Sequence, residues 1–225
     1  MSPRIALLGV LLALLIFSGL LRGQSDEPPK DSRQTKDIPA KDSLLARIWD
    51  GVQQAQQKYT SYCGTITETR TSSLMVKPMV LRGKFCAEGT TRFSLEYSEP
   101  SKVRIRYNDG YLNLTTGDKT QVMEVGGSVR RAQSYFSREN SIGNLKKNFT
   151  ITAREESADF EMSLVPRTDA FRRRLNFLVV KLDKRNFLLR SLEVSGKSGV
   201  DSVFAIDPNS LNPKIPAETF EVYEP

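Results

Sequence analysis

Histidine is missing from all 225 residues. Its absence removes Ser-His-Asp and Cys-His nucleophile systems, and most zinc sites, in one step. Cysteine occurs only twice and tryptophan once. The chain carries no Cys-x-x-Cys and no glycine-rich phosphate loop. Its carboxylates are scattered along alternating patterns, as on solvated strand faces, and do not gather into an acid/base pair. A non-enzymatic protein without metal or cofactor is expected.

Lysine and arginine number 33 against 26 acidic residues, a formal net charge of +7. Such an excess fits an ordinary solvated surface, and it also fits a secreted protein that works near anionic membranes. The N-terminus decides the compartment. Arg4 is followed by Ile5 to Leu21, an unbroken run of small and apolar residues ending at Arg22. This is the basic start and apolar centre of a secretory signal. A helix of that length rises about 25 Å, short of the roughly 30 Å hydrocarbon core, so cleavage is favoured over an uncleaved inner-membrane anchor. Gly23-Gln24-Ser25 supplies small residues for a signal peptidase, and no cysteine stands there to accept a lipid. Residues 1–25 are read as signal peptide, and the mature protein as periplasmic. Export argues against a nucleic-acid partner.

Residues 26–41 are polar and charged and contain proline, with nothing to bury, and read as a disordered linker. From Asp42 or Ser43, Leu44, Ile48, Val52, Ala55 and Tyr59 recur at spacings of three and four, which predicts an amphipathic helix of about four turns. Trp49 lies beside this stripe as a core residue. Beyond Tyr59 the period changes to two. Phe93, Leu95 and Tyr97 alternate with Arg92, Ser94 and Glu96, and Val103, Ile105 and Tyr107 alternate with Arg104 and Arg106. Phe160, Met162 and Leu164 repeat the pattern, and Leu175, Phe177 and Val179 form one face of a later strand. Turn signals at 98–101, 108–110, 116–118, 183–186 and 195–196 separate the runs. The fold class is mainly β with α, an antiparallel meander in one domain over residues 42–225. Residues 128–147 lack alternation and have room for one or two short helices.

Cys63 and Cys86 fall on the two strands of the first predicted hairpin. Their midpoint lies in the 72–77 connection, so symmetric pairing sets them opposite each other, and an oxidising compartment favours a disulfide. Arg172, Arg173 and Arg174 are the densest basic cluster. They read either as a solvated hairpin end or as a docking point for a membrane surface or an acidic partner.

The segment Gly83 to Leu112, GKFCAEGTTRFSLEYSEPSKVRIRYNDGYL, resembles the LolA-like family of outer-membrane lipoprotein carriers and lipoprotein-sorting proteins. The shared features are a glycine opening a strand, an Arg-Phe pair, Glu-Tyr then Pro, and an Asp-Gly turn before an apolar pair. The end, VFAIDPNSLNPKIPAETFEVYEP, is similar to the family's closing strand, its Asn-x-x-Ile-Pro segment and its final Phe-containing strand. The resemblance covers roughly Leu44 to Pro225. It implies an unclosed antiparallel β-barrel, a curved sheet covered by an N-terminal helix and short lid helices. It also implies a monomeric carrier of lipoprotein acyl chains or lipid, with Phe93, Leu95, Tyr97, Val103, Ile105 and Tyr107 lining the acyl pocket. The partners it implies are an inner-membrane ABC-type lipoprotein-releasing complex and an outer-membrane acceptor. The family's lid-latching arginine, four residues before the strand phenylalanine, is replaced by Gly89, and Arg92 faces away from Phe93. Alternative functions for such a half-barrel are envelope-stress sensing and lipid binding while tethered to the inner membrane.

Overall fold

The computed structural model describes residues 41–89, 91–125 and 142–223. The residues read as signal peptide and nearly all of those read as linker therefore lie outside the described residues, as do 128–141 of the stretch 128–147 given room for one or two short helices, whose last part falls in the helix Ile142–Asn148. Helix α1 spans Lys41–Lys58. It buries Leu45, Ile48, Val52 and Ala55, while Leu44 and Trp49 pack half-buried against the core. Gly51 is where a second element meets this helix. A Cβ there would stand 2.2 Å from the Phe187 ring, so only glycine lets that ring lie against the helix. Farther along, Arg47 covers the Phe160 ring at 5.0 Å and pairs with Glu155.

Eleven strands follow: β1 Ser61–Ser72, β2 Met79–Glu88, β3 Arg92–Glu99, β4 Val103–Asn108, β5 Tyr111–Thr116, β6 Lys119–Glu124, β7 Phe149–Glu155, β8 Asp159–Pro166, β9 Leu175–Asp183, β10 Leu189–Gly196 and β11 Val200–Leu211. Short helices α2, Ile142–Asn148, and α3, Asp169–Arg172, precede β7 and β9. All the strands form one antiparallel sheet in the order β6-β5-β4-β3-β2-β1-β11-β10-β9-β8-β7. Two meanders are thus joined by the long-range pair β1–β11, and β6 and β7 remain as separate edges. The sheet is an unclosed half-barrel, the expected fold class.

Two glycines permit its curl. Gly64 and Gly83 sit at register shifts, and a Cβ on either would lie about 2 Å from a carbonyl oxygen of the neighbouring strand, 2.1 Å for Asp207 and 2.2 Å for Glu96. At the β4–β5 hairpin, Asp109 and Gly110 both take positive φ (44° and 108°), the conformation a two-residue reverse turn requires.

Two expectations need correction. Leu175, Phe177 and Val179 do not share one buried face. The β9–β10 register slips at Asn176, whose amide donates to Ser195 Oγ and Gly196 O, and this bulge inverts the phase. Leu178, Val180 and Leu182 consequently point inward. Nor does Phe220 lie in a final strand. Ala217–Phe220 is a 3-10 turn entered from Pro216, and it lies against β3 and β4. The turn belongs to a strap that crosses the outer face. Ser61 Oγ donates to Pro213 O, Arg106 Nη1 donates to Glu221 O, and the Asn113 amide pairs with the Tyr223 backbone.

At the β9–β10 turn the buried Asp183 accepts hydrogen bonds from the Arg185 backbone and guanidinium and from Arg190. The Arg185 bonds hold its carboxyl below the usual range despite burial. A depressed folded value contributes stability above the unfolded value, and that contribution is lost as pH falls through the folded one. Thermal stability should therefore drop as pH is lowered below about 4. Asp183→Asn should flatten that part of the profile while lowering stability at neutral pH. An unchanged acid limb in melting curves would contradict this.

Candidate ligand-binding face

Alternation puts Phe93, Leu95 and Tyr97 on the concave side of β3, and Val103, Ile105 and Tyr107 on the same side of β4. The register makes them three cross-strand pairs, Phe93 with Tyr107, Leu95 with Ile105 and Tyr97 with Val103. β2 and β5 extend this face. Phe85 stands beside Leu95 and Leu112 beside Tyr107. Five of the six residues are buried, and Val103 is half-buried against the same cluster. Leu145 of α2 and the inward stripe of α1 join it from the helices.

One end of this apolar face holds a polar group that alternation of apolar residues does not reveal. Glu68 on β1 is 1% exposed. Its carboxylate accepts from Arg70 Nε and Nη2 at 2.5 and 3.0 Å, from the Tyr97 hydroxyl at 2.6 Å and from Ser202 Oγ at 3.2 Å. Burial, and then the Glu68 charge, push the Tyr97 phenol far above its ordinary range, so it remains a donor. A signal was nevertheless present in the chain. Glu68 and Arg70 share the phase of Tyr62 and Ile66, so the even-numbered face of β1 carries an ion pair into the interior.

Cys63 and Cys86 take the opposite phase and lie on the outer face. They are direct cross-strand partners, with Cα atoms 4.1 Å apart and the sulfurs bonded. The bond closes a loop of about 24 residues, worth roughly 3 kcal/mol in the chain-entropy model. Titration of the denatured, unreduced mature protein should find no free thiol, and reduction should lower the urea midpoint correspondingly. Two titratable thiols would count against the bond.

Gly89 lies in the β2–β3 turn with φ of 56°, and Arg92 pairs with Glu88 on the outside. Arg172 closes α3, and Arg173 and Arg174 lead into β9. Among the described residues no three His, Cys, Asp or Glu side chains gather in a way that could hold a metal ion. No described helix is long and apolar enough to cross a membrane.

The site and fold together define an open, single-sheet antiparallel half-barrel with an apolar concave face. No family model matches the chain, and no curated protein does. Solved structures that resemble it include a LolA superfamily protein from Nitrosomonas europaea, with 11% identity, coverage of 79% of this chain and 97% of that one, and a TM-score of 0.41. Lipoprotein LppX of Mycobacterium tuberculosis gives 9%, 77%, 98% and 0.44 on the same measures. For a chain of the MucA/MucB complex of Pseudomonas aeruginosa they are 10%, 79%, 61% and 0.48, so the present chain spans less than two thirds of the length of that one. At these identities and scores the likeness is one of general outline and assigns no activity.

Proposed function

We propose that this protein is a periplasmic, non-enzymatic carrier that takes up acyl chains of lipoproteins or lipids on its concave face and passes them toward the outer membrane. The observation that carries this reading is the open seam. β6 and β7 are the two edges of the sheet and share no ladder. Movement of one edge away from the other therefore breaks no strand-to-strand hydrogen bond, and in this reading it gives an acyl chain access to the face of Phe93, Leu95, Tyr97, Val103, Ile105 and Tyr107. Each methylene moved from water onto such a face is worth about 0.8 kcal/mol, so part of one acyl chain suffices for firm binding without covalent chemistry. Donor and acceptor, in this reading, are an inner-membrane lipoprotein-releasing complex and an outer-membrane receptor. Mass spectrometry of organic extracts from the purified protein should recover acylated species in near-stoichiometric amount, and a fluorescent fatty-acyl probe should bind the emptied protein saturably. Extracts free of lipid, together with no saturable probe binding, would reject the carrier reading.

A further inference from the structure

Antiparallel alternation sends five connections to one end of the half-barrel: β5–β6, β3–β4, β1–β2, β10–β11 and β8–β9. The middle one carries the two most exposed large apolar side chains described. Leu74 is 94% and Val76 105% exposed, and Met79 beside them is 44% exposed. The tip is an ordered turn, with Leu74 N donating to Ser72 Oγ at 3.1 Å and Met75 N to Ser72 O at 3.1 Å. Apolar side chains held out in this manner gain nothing from water, and patches of this kind mark contact sites.

The flanks of the tip identify what it contacts. Lys77 lies within it, and Lys102, Lys119, Arg173 and Lys197 are exposed in or beside the other four connections. Of the acidic residues at this end, Glu99 pairs with Arg82 and Asp169 with Arg172, leaving Asp118 and Asp201 against that excess. An apolar finger at the centre of a cationic rim is complementary to a bilayer whose surface is anionic and whose interior accepts hydrocarbon. We infer that this end docks on anionic phospholipid membranes, with Leu74 and Val76 entering the acyl region and the rim cations resting on phosphate headgroups. This surface is separate from the concave face, and its docking does not depend on what that face carries.

The test uses the full chain with Val76→Cys labelled by an environment-sensitive nitrobenzoxadiazole dye, Cys63 and Cys86 being bonded to each other. Ser157→Cys, in the exposed β7–β8 turn at the opposite end, carries the same dye as a control. Both proteins retain the apolar N-terminal run, so the difference between them reports the tip. Vesicles of phosphatidylglycerol and phosphatidylethanolamine should brighten and blue-shift the dye at 76 and leave it unchanged at 157. Adding Leu74→Glu, or replacing the vesicles with phosphatidylcholine, should weaken apparent binding at least about tenfold. Far-ultraviolet circular dichroism should show the same fold throughout, because residue 74 buries nothing. Equal responses at both sites, no response at 76, or binding indifferent to Leu74→Glu or to lipid charge would each overturn the inference. A tip that ignores every vesicle would belong to a protein partner instead.

Discussion

Arg70→Ala is expected to destabilise the protein by about 3–5 kcal/mol, a large share of the roughly 5–15 that a domain possesses. The reason is Glu68. Its carboxylate is almost wholly removed from water, and among the described residues Arg70 supplies the positive charge that touches it, through two nitrogens. The Tyr97 and Ser202 hydroxyls solvate the carboxylate but cannot neutralise it. Removing the guanidinium therefore leaves a buried ion facing only neutral dipoles. Changing both partners has a different consequence. Glu68→Gln combined with Arg70→Met removes both charges, keeps an acceptor for the Tyr97 hydroxyl and fills similar volume, so most of the stability should return. Urea unfolding of the two single variants and the pair measures the coupling. A loss below about 1 kcal/mol in Arg70→Ala would mean that water compensates Glu68 and that this end of the face is wet.

Legibility in the chain depends on how local each feature is. Phe93, Leu95 and Tyr97 declare their face because one side of β3 is buried and a strand's side-chain period is two. The hairpin turns are legible for the same reason, since Asp109-Gly110 is a short-range signal with a backbone cause. Several features are not. The bulge at Asn176 inserts one residue with no compositional mark, so alternation counted from Leu175 gives the wrong phase for the rest of the run to Leu182. The pairing of β1 with β11 joins residues nearly 140 apart, as Thr67 with Ala205, and nothing in either strand names the other. The ion pair on β1 escapes a reading in which charge means an outward position, although the phase set by Tyr62 and Ile66 places Glu68 and Arg70 inside. The C-terminal strap misleads in a related way. Phe220 is an apolar residue after a polar stretch, which suggests a strand, yet Pro216 begins a tight turn that lays the ring on the outer face of a sheet whose curvature strand alternation does not specify.

Leu95→Glu is expected to separate a face that can open from a core that cannot. Leu95 is 1% exposed, flanked by Phe85 and Ile105, in the middle of the six residues assigned to acyl binding. Substitution forfeits the transfer energy of a leucine side chain, about 2 kcal/mol, under any reading. Any further loss depends on whether the carboxylate finds water. If β6 and β7 can part as the carrier reading requires, solvent reaches the concave face, the glutamate stays ionised and hydrated, and the loss stops at about 2–3 kcal/mol. The protein then melts cooperatively at a lowered temperature. An acyl chain meets a hydrated charge where it should meet leucine, and displacing that water is costly, so probe affinity falls at least about a hundredfold. If the sheet instead encloses a permanently packed interior, no such water is available. An unpaired buried carboxylate then adds several kcal/mol to the leucine loss and the domain does not fold. Leu95→Met distinguishes charge from shape, because it keeps volume and polarity nearly constant and should leave both melting and probe binding close to those of the parent. A folded Leu95→Glu protein that binds the probe with parental affinity would remove Leu95 from the site. Failure to fold, with Leu95→Met normal, would make this face a core.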